Sequence, residues 1–372
     1  WRALGAQRLL DETQPLAEQI AQALDKTREA ENVVPFPDFN LRLLKSAVVY
    51  GANASGKSKL VDAMNYMRWL VIGSSKNSQA GESTQVEPFR LNLASIQIPT
   101  EFEVQFIYND ELYRYGFEVS AMRVEAEWLY LRTAKAKRNK PEVELFYRNG
   151  QEITFNSRRF GGITGELIKN SAIRENALLL SVAAQFNQPK AIAILKWFTL
   201  TLMVLLGFDE DWERAFTFVR MRYPSLKQEV IDFLAGADLD IQNIQESEQP
   251  MPSFKADEGR DNEAIARIQQ WSIKEHTKVK TVRRSYTDAR EPSEPVEFSL
   301  VRDESAGTQR MLVLAGPVLD AIENGFVLII DEMDARLHPN LVNKIVQLFN
   351  SKTTNPNNAQ LLFNTHDTNL LA

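Results

Sequence analysis

The sequence predicts an α/β domain built on a mostly parallel sheet flanked by helices, with an antiparallel β lobe and a helical insertion. Three observations predict it. The short apolar run Ser46–Tyr50 enters a turn of small residues, Gly51–Ser58, and passes into a helical pattern. Two later apolar runs, Phe326–Ile330 and Gln360–Asn364, end on Asp331-Glu332 and on Thr365-His366. Residues 100–156 instead alternate polar and apolar side chains, the period-two signature of a half-buried antiparallel sheet. Continuous apolar runs are the mark of strands buried on both faces, and in open parallel sheets ligands collect at the strands' C-terminal ends.

In chain order, Leu16–Ala30 reads as an amphipathic helix and Ser46–Tyr50 as a buried strand. Lys57–Val71 follows as a helix with Leu60, Met64, Met67 and Leu70 on one face. Glu101–Tyr108, Leu112–Ser120 and Ala126–Arg132 are strands, with Asn109-Asp110 as the first turn. Val143–Tyr147 and Glu152–Phe155 flank Arg148-Asn149-Gly150, a hairpin signal. Ala177–Phe186, Asp211–Arg222, Ser225–Ala235 and Glu263–Glu275 read as helices. Pro250, Pro252 and the charged stretch 257–262 mark a loop. Val279–Tyr286 and Val296–Leu300 are strands, Gln309–Glu323 and Pro339–Phe349 helices. The expected organisation is 1–156 with the phosphate loop and β lobe, 157–300 as the mainly helical insertion, and 301–372 as the closing part of the α/β domain.

Gly51-Ala52-Asn53-Ala54-Ser55-Gly56-Lys57-Ser58 matches GxxxxGK[ST] without exception. Such a loop wraps phosphate oxygens with backbone N–H groups, so it needs small side chains and unusual backbone angles. The helix beginning near Lys57 turns its positive end toward the same anion. Lys57 is expected to reach the β- and γ-phosphates and Ser58 to ligate Mg²⁺. Asp331 belongs to the same metal's shell, and Glu332 is placed to polarise an attacking water. His366 ends the next apolar strand, suited to contact a γ-phosphate. His276 and His338 read as structural. Glu304-Ser305-Ala306-Gly307-Thr308-Gln309-Arg310 precedes a helix; by itself it is an anion site or a helix N-cap.

The chain of 372 residues is long enough for a sizeable core, with 44% hydrophobic and 25% charged residues. It has no cysteine, which excludes disulfide and thiolate-metal chemistry and fits a reducing cytoplasm. The longest apolar run, Trp197–Phe208, is shorter than the roughly 20 residues that span a bilayer, so no membrane partner is expected and the run reads as a buried helix or strand. A net charge of −6 gives no global field for nucleic acid. Two local basic clusters, Arg132 to Lys140 and Lys278 to Arg284, read as a solvated loop and a guarded strand edge, with phosphate-backbone contact as the alternative. The chain starts on Trp1 rather than Met and stops at Ala372 just after a strand pattern, which reads as truncation at both ends.

Together the four motifs resemble the ABC-class ATPase head shared by the RecF, OLD and SMC relatives. Ser305-Ala306-Gly307-Thr308-Gln309 resembles the ABC signature, Asp334–His338 sits where that class places its D-loop, and His366 where it places the switch histidine. VVYGANASGKSKL, PFRLN, YRYGFEV, ENALLLSVAAQF, LIIDEMDARLHP and NTHDTNLL are similar to AAA-type ATPases of the RloA or AbiLi kind, from about residue 44 to 372. PARIS AriA and Septu PtuA look like relatives of the same broad sort. The resemblance implies ATP with Mg²⁺ held at Gly51, Asn53, Ala54, Ser55, Gly56, Lys57 and Ser58. It implies Ser305, Gly307 and Thr308 as nucleotide-binding, Ser305 and Gly307 acting in trans on a second head, in a homodimer or higher homo-oligomer. It also implies a role in bacterial anti-phage defence beside a toxin or nuclease, against the alternative of a DNA-repair clamp that binds nucleic acid. The signature departs from the transporter pattern at Glu304 and Ala306. A Q-loop glutamine is not evident; Gln85 reads as a surface-loop residue.

Overall fold

The computed structural model describes residues 2–4, 29–52, 54–134, 142–207, 210–237, 239–245 and 262–366. The expected helix at Leu16–Ala30 lies outside them except for its last two residues, and so do Asn53, Asp367, Lys135–Lys140 and 257–261. In chain order come β1 (Arg2–Leu4), β2 (Val33–Phe36), β3 (Leu41–Leu44), β4 (Ser46–Val49) and α1 (Lys57–Gly73). The β lobe follows as β5 (Thr100–Tyr108), β6 (Glu111–Val119), β7 (Val124–Thr133), β8 (Val143–Asn149) and β9 (Glu152–Phe155). Then come α2 (Ile163–Lys169), α3 (Leu179–Gln185), α4 (Pro189–Lys196), β10 (Leu202–Leu205), α5 (Glu210–Met221), α6 (Pro224–Gly236) and β11 (Ile241–Gln245). The chain closes with α7 (Asn262–His276), β12 (Lys280–Tyr286), β13 (Pro292–Ser299), α8 (Ala306–Asn324), β14 (Val327–Ile330), α9 (Pro339–Asn350) and β15 (Gln360–Asn364).

The chain divides into two compact units, 1–44 with 59–202, and 45–58 with 203–372. The first is built on an antiparallel sheet of order β1-β5-β6-β7-β8-β9. Asn109 and Asp110 both take positive φ, 51° and 57°, and close a two-residue hairpin whose ends pair Tyr108 with Glu111. That is the mirror-image turn whose twist suits flanking strands. At its centre Glu127 and Arg148 are fully buried 3.8 Å apart. Glu127 accepts from Leu179 N at 2.6 Å, Leu180 N at 3.0 Å and Tyr115 Oη at 3.0 Å. Burial pushes the Glu127 carboxyl up, opposed by Arg148 and these donors. A buried charge needs such a full set of partners. Gln85 sits in an exposed loop of this unit with φ 59°.

The second unit holds the α/β core. Its sheet has the order β10-β14-β15-β4. β14 and β15 run parallel with Val327 opposite Gln360 and Ile330 opposite Phe363, and β15 and β4 run parallel with Asn364 opposite Val49. Leu328, Ile330, Leu361 and Phe363 pack with Leu312, Ala315 and Val318 of α8 and with Val342, Ile345 and Phe349 of α9. A separate three-stranded antiparallel sheet, β11-β12-β13, belongs to the same unit.

The apolar run 197–208 splits into both of its alternatives. Trp197–Thr201 winds as a π-helical turn, and Leu202–Leu205 is β10 of the central sheet. The span 157–300 is therefore helix-rich but also supplies four strands among the described residues. β13 begins at Pro292, four residues before the expected Val296. It is an edge strand, where Pro292 and Pro295 are tolerated because the ladder there needs no donor from them. In the second basic cluster Lys278, Lys280 and Arg284 are exposed, but Lys280, Arg283 and Arg284 lie on the middle strand of their sheet, not on the expected edge, and each faces a carboxylate. Lys280 pairs with Glu297 at 2.7 Å, Arg283 with Glu304 at 2.7 Å, and Arg284 with Asp240 at 3.9 Å. Among the described residues no helix is long and apolar enough to cross a membrane.

Candidate functional site

The site residues lie in the second unit, at the C-terminal ends of β4, β15 and β14. β4 delivers Gly51–Ser58. The turn is built by left-handed backbone at Ala54, φ 62°, and Gly56, φ 92°. A Cβ on Gly51 would collide with Ser55 Oγ. Ser55 N donates to Ala52 O at 3.2 Å, closing the turn. Lys57 is 8% exposed, and its Nζ donates to Gly51 O at 2.8 Å and Ala52 O at 3.0 Å. The ammonium therefore already lies across the loop, held by carbonyls that phosphate oxygens can replace. Ser58 is half-buried on the first turn of α1. The small-residue turn and the Lys57 ammonium suit a polyphosphate, and the Ser58 hydroxyl is an oxygen ligand of the kind accepted by an Mg²⁺ that keeps phosphate and water ligands.

β14 delivers Asp331 and Glu332. Asp331 is 4% exposed and its N–H donates to Leu205 O at 2.9 Å. Glu332 is exposed and adopts φ 48°, a conformation that costs a non-glycine residue roughly 1–3 kcal/mol and gathers at functional sites. Sequence reasoning missed the residue that holds both. The Asn364 side chain donates through Nδ2 to Asp331 Oδ1 and accepts through Oδ1 from Glu332 N at 2.6 Å. Asn364 O accepts from Met333 N at 3.2 Å. The only hint in the sequence is its place as the last residue of an apolar strand before His366.

β15 lies between β4 and β14, so its end joins the other two. Thr365 N donates to Val49 O at 3.4 Å, and His366 N donates to Asp334 Oδ2 at 3.1 Å. His366 itself is exposed. β4 and β14 stand two strand spacings apart, about 9–10 Å, so the loop that follows β4 and the acids that follow β14 leave the same end of the sheet.

Ser305, Gly307 and Thr308 stand at the start of α8. Ser305 is exposed and caps the helix, accepting from Thr308 N at 3.1 Å with Thr308 Oγ1 3.0 Å away. A Cβ on Gly307 would stand 3.2 Å from Arg336 O, so the signature turn packs tightly against the Asp334–His338 loop. The side-chain hydrogen bonds of Ser305 and Thr308 stay within the helix start; of the three, Ser305 is exposed, Gly307 half-buried and Thr308 buried. Glu304 takes two hydrogen bonds from Arg283, at 2.9 and 2.7 Å, and one from Thr281. Burial raises its carboxyl, but those donors outweigh burial and hold it below the ordinary value. His338 caps α9 by accepting from Asn340 N at 3.2 Å. His338 thus has a structural task as a helix cap. His276 is half-buried; burial first, then Arg214, pushes it down to about 4.

A glycine-rich loop between a parallel strand and a helix, beside a strand tipped with acids, defines a P-loop nucleotide-binding domain of the α/β class. The family described as "AAA domain, putative AbiEii toxin, Type IV TA system" matches residues 46–372, and the chain belongs to that family of AAA-type ATPases. Among solved structures, the SMC head domain from Thermotoga maritima is similar at 13% identity over 90% of this chain and 88% of that one, with a TM-score of 0.36. The SMC head bound to the C-winged helix domain of ScpA is similar at 14% identity over 89% and 86%, TM-score 0.32. RecF of the RecFOR pathway is similar at 14% over 91% of each chain, TM-score 0.28. No curated protein matches the chain.

Proposed function

We propose that the protein hydrolyses ATP in paired heads, each nucleotide held by one chain and closed over by the signature of the other. The observation that supports this most is the strand order β14-β15-β4, which sets Asp331, His366 and Gly51–Ser58 on neighbouring tips. Gly51, Asn53, Ala54, Ser55 and Gly56 cradle the phosphates with main-chain N–H groups. Lys57 leaves its loop carbonyls and pairs with the β- and γ-phosphates. Ser58 and Asp331 would hold Mg²⁺, which when bound neutralises charge building on the phosphates. Glu332 orients and deprotonates the attacking water, and His366 contacts the γ-phosphate. Ser305, Gly307 and Thr308 of the second chain present the start of α8 to that phosphate, where main-chain donors and the helix dipole favour an anion. Most of the catalysis is positioning and charge stabilisation.

The family description couples an AAA domain with a toxin–antitoxin system. That supports a sensor or scaffold in anti-phage defence that restrains a toxin or nuclease partner. For the DNA-clamp reading the second basic cluster offers the exposed Lys280 and Arg284, each beside a carboxylate, while Arg283 is committed to Glu304.

Glu332→Gln tests the reading. The variant should bind ATP as well as wild type, lose at least about a hundredfold in turnover, and accumulate as ATP-dependent pairs by light scattering. In cells it should lose phage restriction. Normal turnover would remove Glu332 from its role, and undiminished restriction would count against defence through hydrolysis.

A further inference from the structure

We propose that the Arg283–Glu304 ion pair positions Ser305 and Gly307 for the nucleotide of a second chain, so that β12 controls closure of the composite site. The inference rests on the paired-head reading above and names how its trans-acting half is held.

Glu304 immediately precedes Ser305, and its side chain is 5% exposed. Three donors fill its carboxylate. Arg283 Nε bonds Oε1 at 2.9 Å, Arg283 Nη2 bonds Oε2 at 2.7 Å, and Thr281 Oγ1 bonds Oε1 at 2.5 Å. A guanidinium gripping a carboxylate with two parallel bonds fixes direction as well as distance, which a point charge does not. The fork is itself fixed, because Arg283 Nη1 donates to Leu239 O at 2.7 Å. Thr281 is fully buried, and β12 is the middle strand of its sheet, paired on both sides. The main chain of the turn has a second brace: Gln309 Nε2 donates to Glu304 O at 3.0 Å. Residues 304–308 thus have one side chain locked into a sheet while the next, Ser305, faces solvent.

Stability alone does not explain the arrangement. Buried ion pairs often contribute little over apolar residues of similar volume, while they do fix geometry. Glu304, where the signature departs from the transporter pattern, becomes intelligible as a rigid link. A shift of β12 would carry Ser305 with it, whereas an apolar anchor would let the turn slide.

The test uses the full chain with Arg283→Glu, Glu304→Arg, the double reversal, Arg283→Lys and Thr281→Val. Three readouts are needed: binding of a fluorescent non-hydrolysable ATP analogue, turnover at saturating ATP, and the thermal midpoint. Each single reversal should lower turnover about tenfold or more while analogue affinity stays within about twofold, since the phosphate loop is untouched. The double reversal should recover a large part of turnover. Arg283→Lys and Thr281→Val keep the charge pair and should give intermediate losses, and they decide the matter if the reversals do not fold. Wild-type turnover in these variants, turnover lost only in step with the thermal midpoint, or no recovery in the folded double reversal would overturn the proposal. A wild-type chain without ATP turnover would instead overturn the paired-head reading, and this inference with it.

Discussion

Asn364 joins two strand tips with one amide, and its effect is out of proportion to its size. It orients the Asp331 carboxylate and holds the Glu332 N–H in a left-handed turn. Asn364→Ala should leave that turn unsupported and lower turnover roughly 10- to 100-fold, the range seen when outer partners of metal ligands are removed. A variant with unchanged turnover at saturating ATP would show that Asp331 and Glu332 need no such support. His276 offers a separate prediction, on stability. Its folded pKa of about 4 lies below the ordinary 6.5, so between those values the unfolded chain binds a proton that the folded chain refuses. Its contribution to stability is fully present above pH 6.5 and is lost as pH falls toward 4. Urea midpoints should drop over that window, and His276→Gln should flatten part of the drop; an identical profile would assign the pH dependence elsewhere. Gly51–Ser58 and Asp331-Glu332 were legible because their chemistry is carried by consecutive residues. The Asn364 and Glu304 roles were not, because their partners are 33 and 21 residues away in sequence and meet them only across a sheet.

Element by element, the parallel strands were read almost to the residue, since each is an apolar run ended by a chemical group. β11 and β13 were harder. Ile241–Gln245 is mostly polar, and Pro292–Ser299 carries two prolines and two glutamates that break the alternation. β10 was hidden inside Trp197–Phe208 because a buried strand and a buried helix have the same apolar pattern. α8 poses the opposite question, since it stays helical through Pro317. Proline removes the N–H that would satisfy Val313 O. Thr217 of α5 replaces it: its hydroxyl donates to Val313 O at 2.8 Å and accepts from Gly316 N at 3.0 Å. Thr217→Val keeps the shape and strands both groups, so it should cost about 1–3 kcal/mol in urea unfolding, with Thr217→Ser losing less. Equal stability of all three would mean that α8 repairs the gap by itself.

At the scale of the whole molecule, the proposed pairing requires one chain to present two halves of different sites. In that pairing Gly51–Ser58 holds the phosphates, while Ser305, exposed at the start of α8 beside the half-buried Gly307, caps its own helix through Thr308 N. A single chain would then bind ATP and turn it over poorly, and activity should rise faster than linearly with protein concentration. Mixing two inactive variants measures this most directly. Lys57→Ala abolishes the cradle, and Ser305→Arg blocks the signature. Each alone should be inactive. Mixed, a Ser305→Arg chain holding ATP can be closed by the intact signature of a Lys57→Ala chain, so turnover should return to roughly a quarter of wild type, since half of the random pairs carry one complete site of the usual two. A mixture as inactive as its components would contradict the composite site at the centre of this account.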